Sequence, residues 1–524
     1  MTPLPYDLPT DPAKRHSAAV IDGIDRAPAR AMLKAVGFSD EDLAQPIVGV
    51  GSAWIETMPC NLNQRRLVVA VKRGVRAAGG TPMEFNTVAV SDAVSMGTVG
   101  MRYSLPSRDL IADSIELVAR GHGFDGLVCG LTACDKTNPA AVMALGRTDL
   151  PGLIFYSGTI LPGRLDGEPV SLLTLFEALG AYHKGELSDA DVLALEDSVC
   201  PGPGACSGQF TANTMSTIME FLGLSPAGLN DIPATSPKKL EAAEQAGRLA
   251  VQAVRQAHTP RSLVTRASLE NAVTAVAVTG GSTNAVLHCL VIAYEFGISF
   301  AIDDFDAIAA RTPIIADIAP GGPHQAVDLH GAGGFPLVAR NLLAAGLLHG
   351  HVRNVDGRTV TEIAQSATES SGQRVVRTAN DPVKPHGALA ILRGSLAPDG
   401  CVIKLAGSER RQHRGRAKVF DSEEAWPWST SASARATWSC CATKVPPGAR
   451  DAGDAVRNGG TRRRGARRGR CPDHRRPLLR GHPRTRYRSR RPRGGARWAY
   501  RAGGKRRRDR HRRRSPHPQP ARGS

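Results

Sequence analysis

From about Ala29 to Phe300 the chain alternates short apolar runs with longer segments of helical periodicity. PIVGVGSAW (46–54) reads as a strand leading into a loop with Pro59, Cys60 and Asn61. LNQRRLVVAVKRGVRAAGG (62–80) reads as an amphipathic helix closed by glycines. FNTVAVSDAVSMG (85–97) predicts a strand ending at Ser91 and Asp92, and SRDLIADSIELVARGHG (107–123) a helix with a Ser cap and a Gly stop. FDGLVCGLTACDK (124–136) and LPGLIFYSG (150–158) predict two more strands. This rhythm requires an α/β fold with a parallel sheet and helices on its faces. Ligands bind such sheets outside the carboxyl ends of the strands. Cys60, Asp92 and Cys134–Lys136 each follow a predicted strand end, so all three loops should open onto one edge.

Residues 131–143, LTACDKTNPAAVM, place a thiol, a carboxylate and an amine at Cys134, Asp135 and Lys136. Consecutive side chains on a regular strand point to opposite faces, so only an irregular turn brings all three to one site. Thr137, Asn138 and Pro139 supply a turn and a helix start. Thiolate suits Fe–S clusters or zinc and carboxylate suits Mg²⁺ or Mn²⁺, so the pairing suggests two different metals side by side. The competing reading is a core cysteine beside a surface ion pair. Convergence of the three loops weighs more than the triplet alone.

Further on, CPGPGACSGQFTANTM (200–215) is a Gly/Pro loop passing into a helix, flexible enough for close backbone approach to a cofactor. It holds two potential ligands, Cys200 and Cys206, and the residues themselves do not choose between them. TGGSTNAVLHCLVIA (279–293) enters an apolar helix through a glycine turn that could bind an anion, although a capped, buried helix with His288 in its core is the favoured reading. DLHGAGGFPLVARNLLAAGLL (328–348) repeats glycine loop then helix. At 387–421 short β-like runs separated by Pro-Asp-Gly and Gly-Ser turns announce a second, β-rich domain.

The polar, Pro-rich N-terminus lacks the apolar segment of a signal peptide, and no run of 18 apolar residues exists, so a cytoplasmic protein is expected with no membrane partner. Ten scattered cysteines do not make a disulfide framework. The formal charge of +19 is unevenly spread: residues 426–524 hold 30 Lys+Arg against 4 Asp+Glu, and residues 1–425 hold 37 against 44. A mildly acidic body carries a very basic tail.

Read together, TMPCN, VSDAVSMG, ACDKTNPA, PGPGACSGQFTANTM, GGSTNAVLH and the SLAPDG–VFDSEEA region closely resemble the dihydroxy-acid dehydratase family, in the larger group with the sugar-acid dehydratases. The match runs over about residues 15–425 in order. The resemblance implies an α/β domain over 1–385, a barrel-like β domain starting at 386–425, and a homodimer acting on a small dihydroxy acid. It implies that Cys60, Cys134 and Cys206 ligate an Fe–S cluster, 2Fe–2S rather than 4Fe–4S. It implies too that Asp92, Asp135 and Lys136, the last as a carbamate, ligate Mg²⁺. The implied reaction removes water from a 2,3-dihydroxy-3-methyl acid to give a 2-keto acid, in valine and isoleucine synthesis. The alternatives are a gluconate-type dehydratase, a zinc protein, and nucleic-acid binding through the tail, the last not favoured because RGG and aromatic repeats are missing.

After Ala425 the resemblance stops. The family's serine base and its last Mg²⁺ ligand, a glutamate, lie beyond that point and are absent here, so no catalytic base is assigned and the chain as written is expected to be inactive. The Arg/Gly/Pro-rich remainder cannot build a core and is expected to be disordered. An out-of-frame origin accounts for it. Cys441-Ala442-Thr443-Lys444-Val445-Pro446 can be encoded so that a start one base earlier reads LRYEGP, like the glutamate segment. Cys471–Arg484, read from the second base of each codon, can give ALITDGRFSGATR, like the serine segment. The shifts would lie near Glu424–Trp426 and Gly448–Asp454.

Overall fold

A computed structural model describes residues 11–406, 412, 414–420 and 437–441. Four parallel strands form the central sheet: β1 (Ile47–Ser52), β2 (Thr81–Asn86), β3 (Gly126–Thr132) and β4 (Gly152–Tyr156), in the order β2-β1-β3-β4. β1 and β4 are buried along their whole length, as expected of apolar strands covered on both faces. Strand order reverses at β1, with β2 on one side and β3 on the other. The crevice beyond the ends of β1 and β3 is therefore the topological switch point, where such sheets bind ligands.

Helices cover the sheet. After β1 comes α1 (Gln64–Ala77), whose Leu67, Val68, Val71 and Val75 face inward. α2 (Ser104–Gly121) precedes β3, and α3 (Thr137–Thr148) follows it. Beyond β4 lie α4 (Thr211–Phe221), α5 (Pro237–Gln256), α6 (Arg266–Val278) and α7 (Asn284–Phe296). α1 and α5 approach closely because glycines face each other's backbones: a Cβ on Gly74 would stand 1.9 Å from the Glu244 carbonyl oxygen, and one on Gly247 would stand 2.2 Å from that of Val71. At the start of β3, buried Asp125 accepts from the backbone amides of His16, Ser17 and Ile47 and from the Ser17 hydroxyl. That carboxylate fastens the N-terminal segment to the sheet.

Four local expectations need correction. The strand placed at 85–97 is Thr81–Asn86, because β1 ends at Ser52, opposite Asn86, and the later residues have no neighbour to pair with. Ser107 does not cap α2: the helix begins at Ser104, and the Ser107 hydroxyl donates to the Ser104 carbonyl. At 328–348 a helix, Ala326–Ala332, occupies the expected glycine loop and is followed by a second, Gly334–Ala344. Gly333 and Gly334, with φ of 138° and 69°, make the break. Pro398, Asp399 and Gly400 lie within β6 (Ala397–Lys404), paired antiparallel with β5 (Leu389–Gly394), and the reversal falls at Ser395 and Leu396. Gly400, at φ 101°, bends a strand instead of reversing it.

The β5–β6 hairpin is the start of the β-rich segment, and β5 is held through the Ile391 amide donating to Asp306. Next, β7 (Arg416–Phe420) pairs in parallel with β8 (Thr437–Cys441), so part of the stretch expected to lack structure is a strand. The rest of the tail, 426–436 and 442–524, lies outside the described residues. No helix among the described residues is long and apolar enough to cross a membrane.

Candidate functional site

Three loops converge beyond the strand ends. The loop after β1 forms a short turn, Pro59–Asn61, that buries Cys60. Asn61 donates its side-chain amide to the Ala53 carbonyl (2.7 Å) and Asn63 to that of Ser157 (3.0 Å), tying this loop to the ends of β1 and β4. The loop after β3 carries the buried Cys134, whose carbonyl accepts from the Asn138 backbone amide (3.2 Å) as α3 begins. Thr137 Oγ1 accepts from the Cys134 amide at 3.2 Å, which holds the irregular turn that the triplet needs.

The third loop, 200–210, is stitched to the loop after β1 and to the segment that follows β4. Gly204 donates to the Pro59 carbonyl (2.9 Å), Ile160 to that of Ala205 (2.8 Å), and Ala205 to that of Gly158 (3.0 Å). Only glycine fits at 204: its φ is 133°, and a Cβ would meet the Ile160 nitrogen at 2.4 Å. Cys206 is thereby delivered to Cys60 and Cys134. Hydrogen bonding with the Cys134 and Cys206 thiols, together with burial, pushes the Cys60 thiol well above its ordinary value. The same contact with Cys60 draws Cys206 below its own, against burial. Cys200 is exposed, while Cys129 and Cys289 are core thiols raised by burial alone. Between Cys200 and Cys206, which the residues left open, the fold brings Cys206 to the thiol group.

Beside the thiols lies a charged group. Asp92 heads the short helix Asp92–Ser95 behind the Ser91 cap. Lys136 Nζ donates to Asp92 Oδ2 (2.8 Å) and Asp135 Oδ2 (2.7 Å), and all three side chains are at least 85% hidden from solvent. Burial and the neighbouring Asp135 push Asp92 up to about 6, against the pull of Lys136. Burial acts the same way on Asp135, but the neighbouring His288 and Asp92 and the Lys136 charge hold it well below the usual carboxylate range. Burial opposes the charge on Lys136, yet the two carboxylates outweigh it and raise the amine.

Sequence reasoning missed the residues behind this group. Asn284 Nδ2 lies 3.4 Å from Asp135 Oδ2, and His288 Nε2 faces Asp135 Oδ1 at 3.6 Å, beyond direct hydrogen-bond range. His288 is buried, as a core histidine would be, yet it points into the site. Its signal was available: Asn284 and His288 are four residues apart, so they share one face of α7. Ser104 donates to Asp92 Oδ1, and Arg108 lies 3.5 Å from His288 Nδ1.

Among the described residues, no group of three or more His, Cys, Asp or Glu side chains is arranged to hold a metal ion as it stands. The thiols pair with one another, and the Lys136 ammonium sits between the carboxylates. The donor set nonetheless fits both implied groups. Three converging thiols, two of them buried and that of Cys206 partly so, offer soft ligands, and two carboxylates already hold a positive charge between them. Asp135 Oδ1 and His288 Nε2 are buried with no hydrogen-bond partner, a polar gap of the kind a ligand closes.

Residues 45–363 match the family model described as dihydroxy-acid/6-phosphogluconate dehydratase N-terminal, and residues 374–434 match its C-terminal counterpart. Among curated relatives, a dihydroxy-acid dehydratase of Roseiflexus castenholzii is 54% identical over 412 residues, covering 79% of this chain and 74% of the relative. That of Thermus thermophilus is 50% identical over 404 residues (77% and 73%), and that of Sulfurisphaera tokodaii 44% over 413 (78% and 74%).

Proposed function

We infer the reaction from one premise: the chain belongs to the dihydroxy-acid/6-phosphogluconate dehydratase family, whose N-terminal model spans more than half of it. It is a hydro-lyase in type, and its reaction is the dehydration of a 2,3-dihydroxy-3-methyl carboxylic acid to the 2-keto acid in branched-chain amino-acid synthesis. The relatives' names favour that substrate over a gluconate-type sugar acid and over nucleic acid.

We further propose the roles of the site residues. Cys60, Cys134 and Cys206 hold an Fe–S cluster, with 2Fe–2S favoured, and Asp92, Asp135 and Lys136 hold Mg²⁺. When bound, these groups supply Lewis acidity toward the departing hydroxyl and toward the substrate's carboxylate and 2-hydroxyl. The observation that carries this reading is the Lys136 amine lodged between two buried carboxylates next to three thiols. Reaction of that amine with CO₂ forms an N–C bond and releases a proton. The product is a carbamate, which replaces a repelled ammonium by an oxygen donor. Asn284 and Ser104 keep the two carboxylates turned toward each other, and burial excludes water that would compete for them.

The similarity to the C-terminal model ends at 434, and the serine base and glutamate ligand implied by the family lie beyond it. We propose that the chain as written is inactive because its reading frame departs near Glu424–Trp426 and again near Gly448–Asp454. Resequencing the gene between the codons for Val419 and Pro516 tests the frame. A 2-keto acid assay on a dihydroxy-methyl acid and on gluconate tests the chemistry. The chain as written should turn over neither, and a frame-restored version should prefer the dihydroxy-methyl acid and turn brown on loading with iron and sulfide. Turnover by the chain as written would refute its inactivity, and a restored enzyme that prefers gluconate would refute the substrate class.

A further inference from the structure

The first turn of α4 aims a polar side chain at the loop that carries Cys206. Asn213 is buried, and all four of its hydrogen-bonding positions are filled. Its Nδ2 donates to the Cys206 carbonyl (2.8 Å) and the Gly208 carbonyl (2.8 Å). Its Oδ1 accepts from the Tyr156 hydroxyl (2.7 Å) and the Thr159 hydroxyl (2.7 Å). Tyr156 ends β4 and Thr159 bridges to Ala205, so one planar amide clamps the sheet edge to the loop that carries Cys206.

We propose that Asn213 is a positioning residue that fixes the Cys206 backbone, and so sets where the third thiol stands relative to Cys60 and Cys134. The proposal rests on the reading of Cys206 as a cluster ligand. The chemistry is specific to an amide. Two carbonyls on one side demand two donors, two hydroxyls on the other need an acceptor, and only Asn or Gln offers both on one flat group. Gln is longer by a methylene. An Asp of the same shape presents oxygen to both carbonyls and cannot hold the loop. Thr211, on the same turn, bonds to Ser282 (2.9 Å) and accepts from Asn284 (3.1 Å), so this turn of α4 supports the carboxylate half as well.

The test compares Asn213→Asp with the parent, using the full chain free of iron. Iodoacetamide alkylation of each cysteine is followed by peptide mass spectrometry. Cys206 should react roughly ten- to a hundredfold faster in the variant, as expected for loss of two buried hydrogen bonds. Cys129 and Cys289, both fully buried, should stay unmodified and so report that the fold is intact. Should those two react, the variant has unfolded, and Tyr156→Phe and Thr159→Val decide: each removes one hydroxyl donor and should speed Cys206 alkylation several-fold with the core thiols protected. A Cys206 rate unchanged in Asn213→Asp with protected core thiols, or unchanged in both hydroxyl variants, overturns the proposal. Reconstitution with iron and sulfide separates the two readings. A parent chain that gains no visible absorbance defeats the ligand assignment of Cys206, whereas a parent that gains it beside an Asn213→Asp spectrum of equal shape and intensity defeats only the role of Asn213.

Discussion

Replacing Lys136 by Met leaves a similar apolar stem and removes the charge between Asp92 and Asp135. Lys136 is 5% exposed and makes two ion pairs of 2.8 and 2.7 Å, so its removal leaves two carboxylates buried side by side. Breaking a buried pair of this kind costs about 3–5 kcal/mol. The loss depends on pH in a definite direction. Asp92 already stands at about 6 in the folded chain against an ordinary value of 3.8, and without the lysine it rises further. A carboxylate raised on folding takes up a proton more readily in the native state, and the unfolded value is common to both chains, so the deficit is full above the variant's raised folded pKa and shrinks as pH falls through it toward the parent's value of about 6. Urea unfolding followed by circular dichroism near neutral pH and near pH 5 measures both effects. Mg²⁺ should rescue part of the loss, since a ligand at a hundred times its Kd stabilises by about 2.7 kcal/mol. A variant within about 1 kcal/mol of the parent at neutral pH, or a deficit that does not shrink on acidification, would refute the reasoning.

Two further outcomes follow from other parts of the fold. Lys239 is fully buried, donates to the Leu229 and Asn230 carbonyls, and is held down to about 7 by burial, against the attraction of Asp231 and Glu220. Because its folded pKa lies below the ordinary 10.5, the unfolded chain binds more protons between the two values. Stability should therefore climb with pH across that window, by up to about 1.4 kcal/mol per unit, and Lys239→Met should lose the climb. At the α1–α5 contact, Gly74→Ala should lower stability by about 1–3 kcal/mol through overpacking, whereas Gly121→Ala, with open space around it, should be neutral or stabilise by up to about 1 kcal/mol. Thermal melts of the two variants side by side test this, and equal effects would contradict the close-approach argument.

Much of the site was legible in the chain because chemistry-bearing residues were written at strand ends. Cys60 and Cys134–Lys136 were placed correctly from the apolar runs before them. Asp92 reached the right edge even though its strand lies several residues earlier than expected. Boundaries failed where pairing decided them: TVAVS looks like strand, but β1 stops opposite Asn86. Pro398-Asp399-Gly400 looks like a turn, yet it lies inside β6, at the irregularity in its pairing with β5.

The sequence by itself determined the parallel α/β layout, the family, and which thiols and acids could serve, because periodicity and local motif are properties of neighbouring residues. Tertiary structure decided what depends on distant ones. Residues 149 positions apart in the chain place Asn284 against Asp135, and 54 and 57 positions bring Thr159 and Tyr156 to Asn213. A buried polar atom takes whichever partner the packing delivers, and no spacing rule encodes that choice. This is why His288 reads in the sequence as a core histidine and stands in the fold facing a carboxylate.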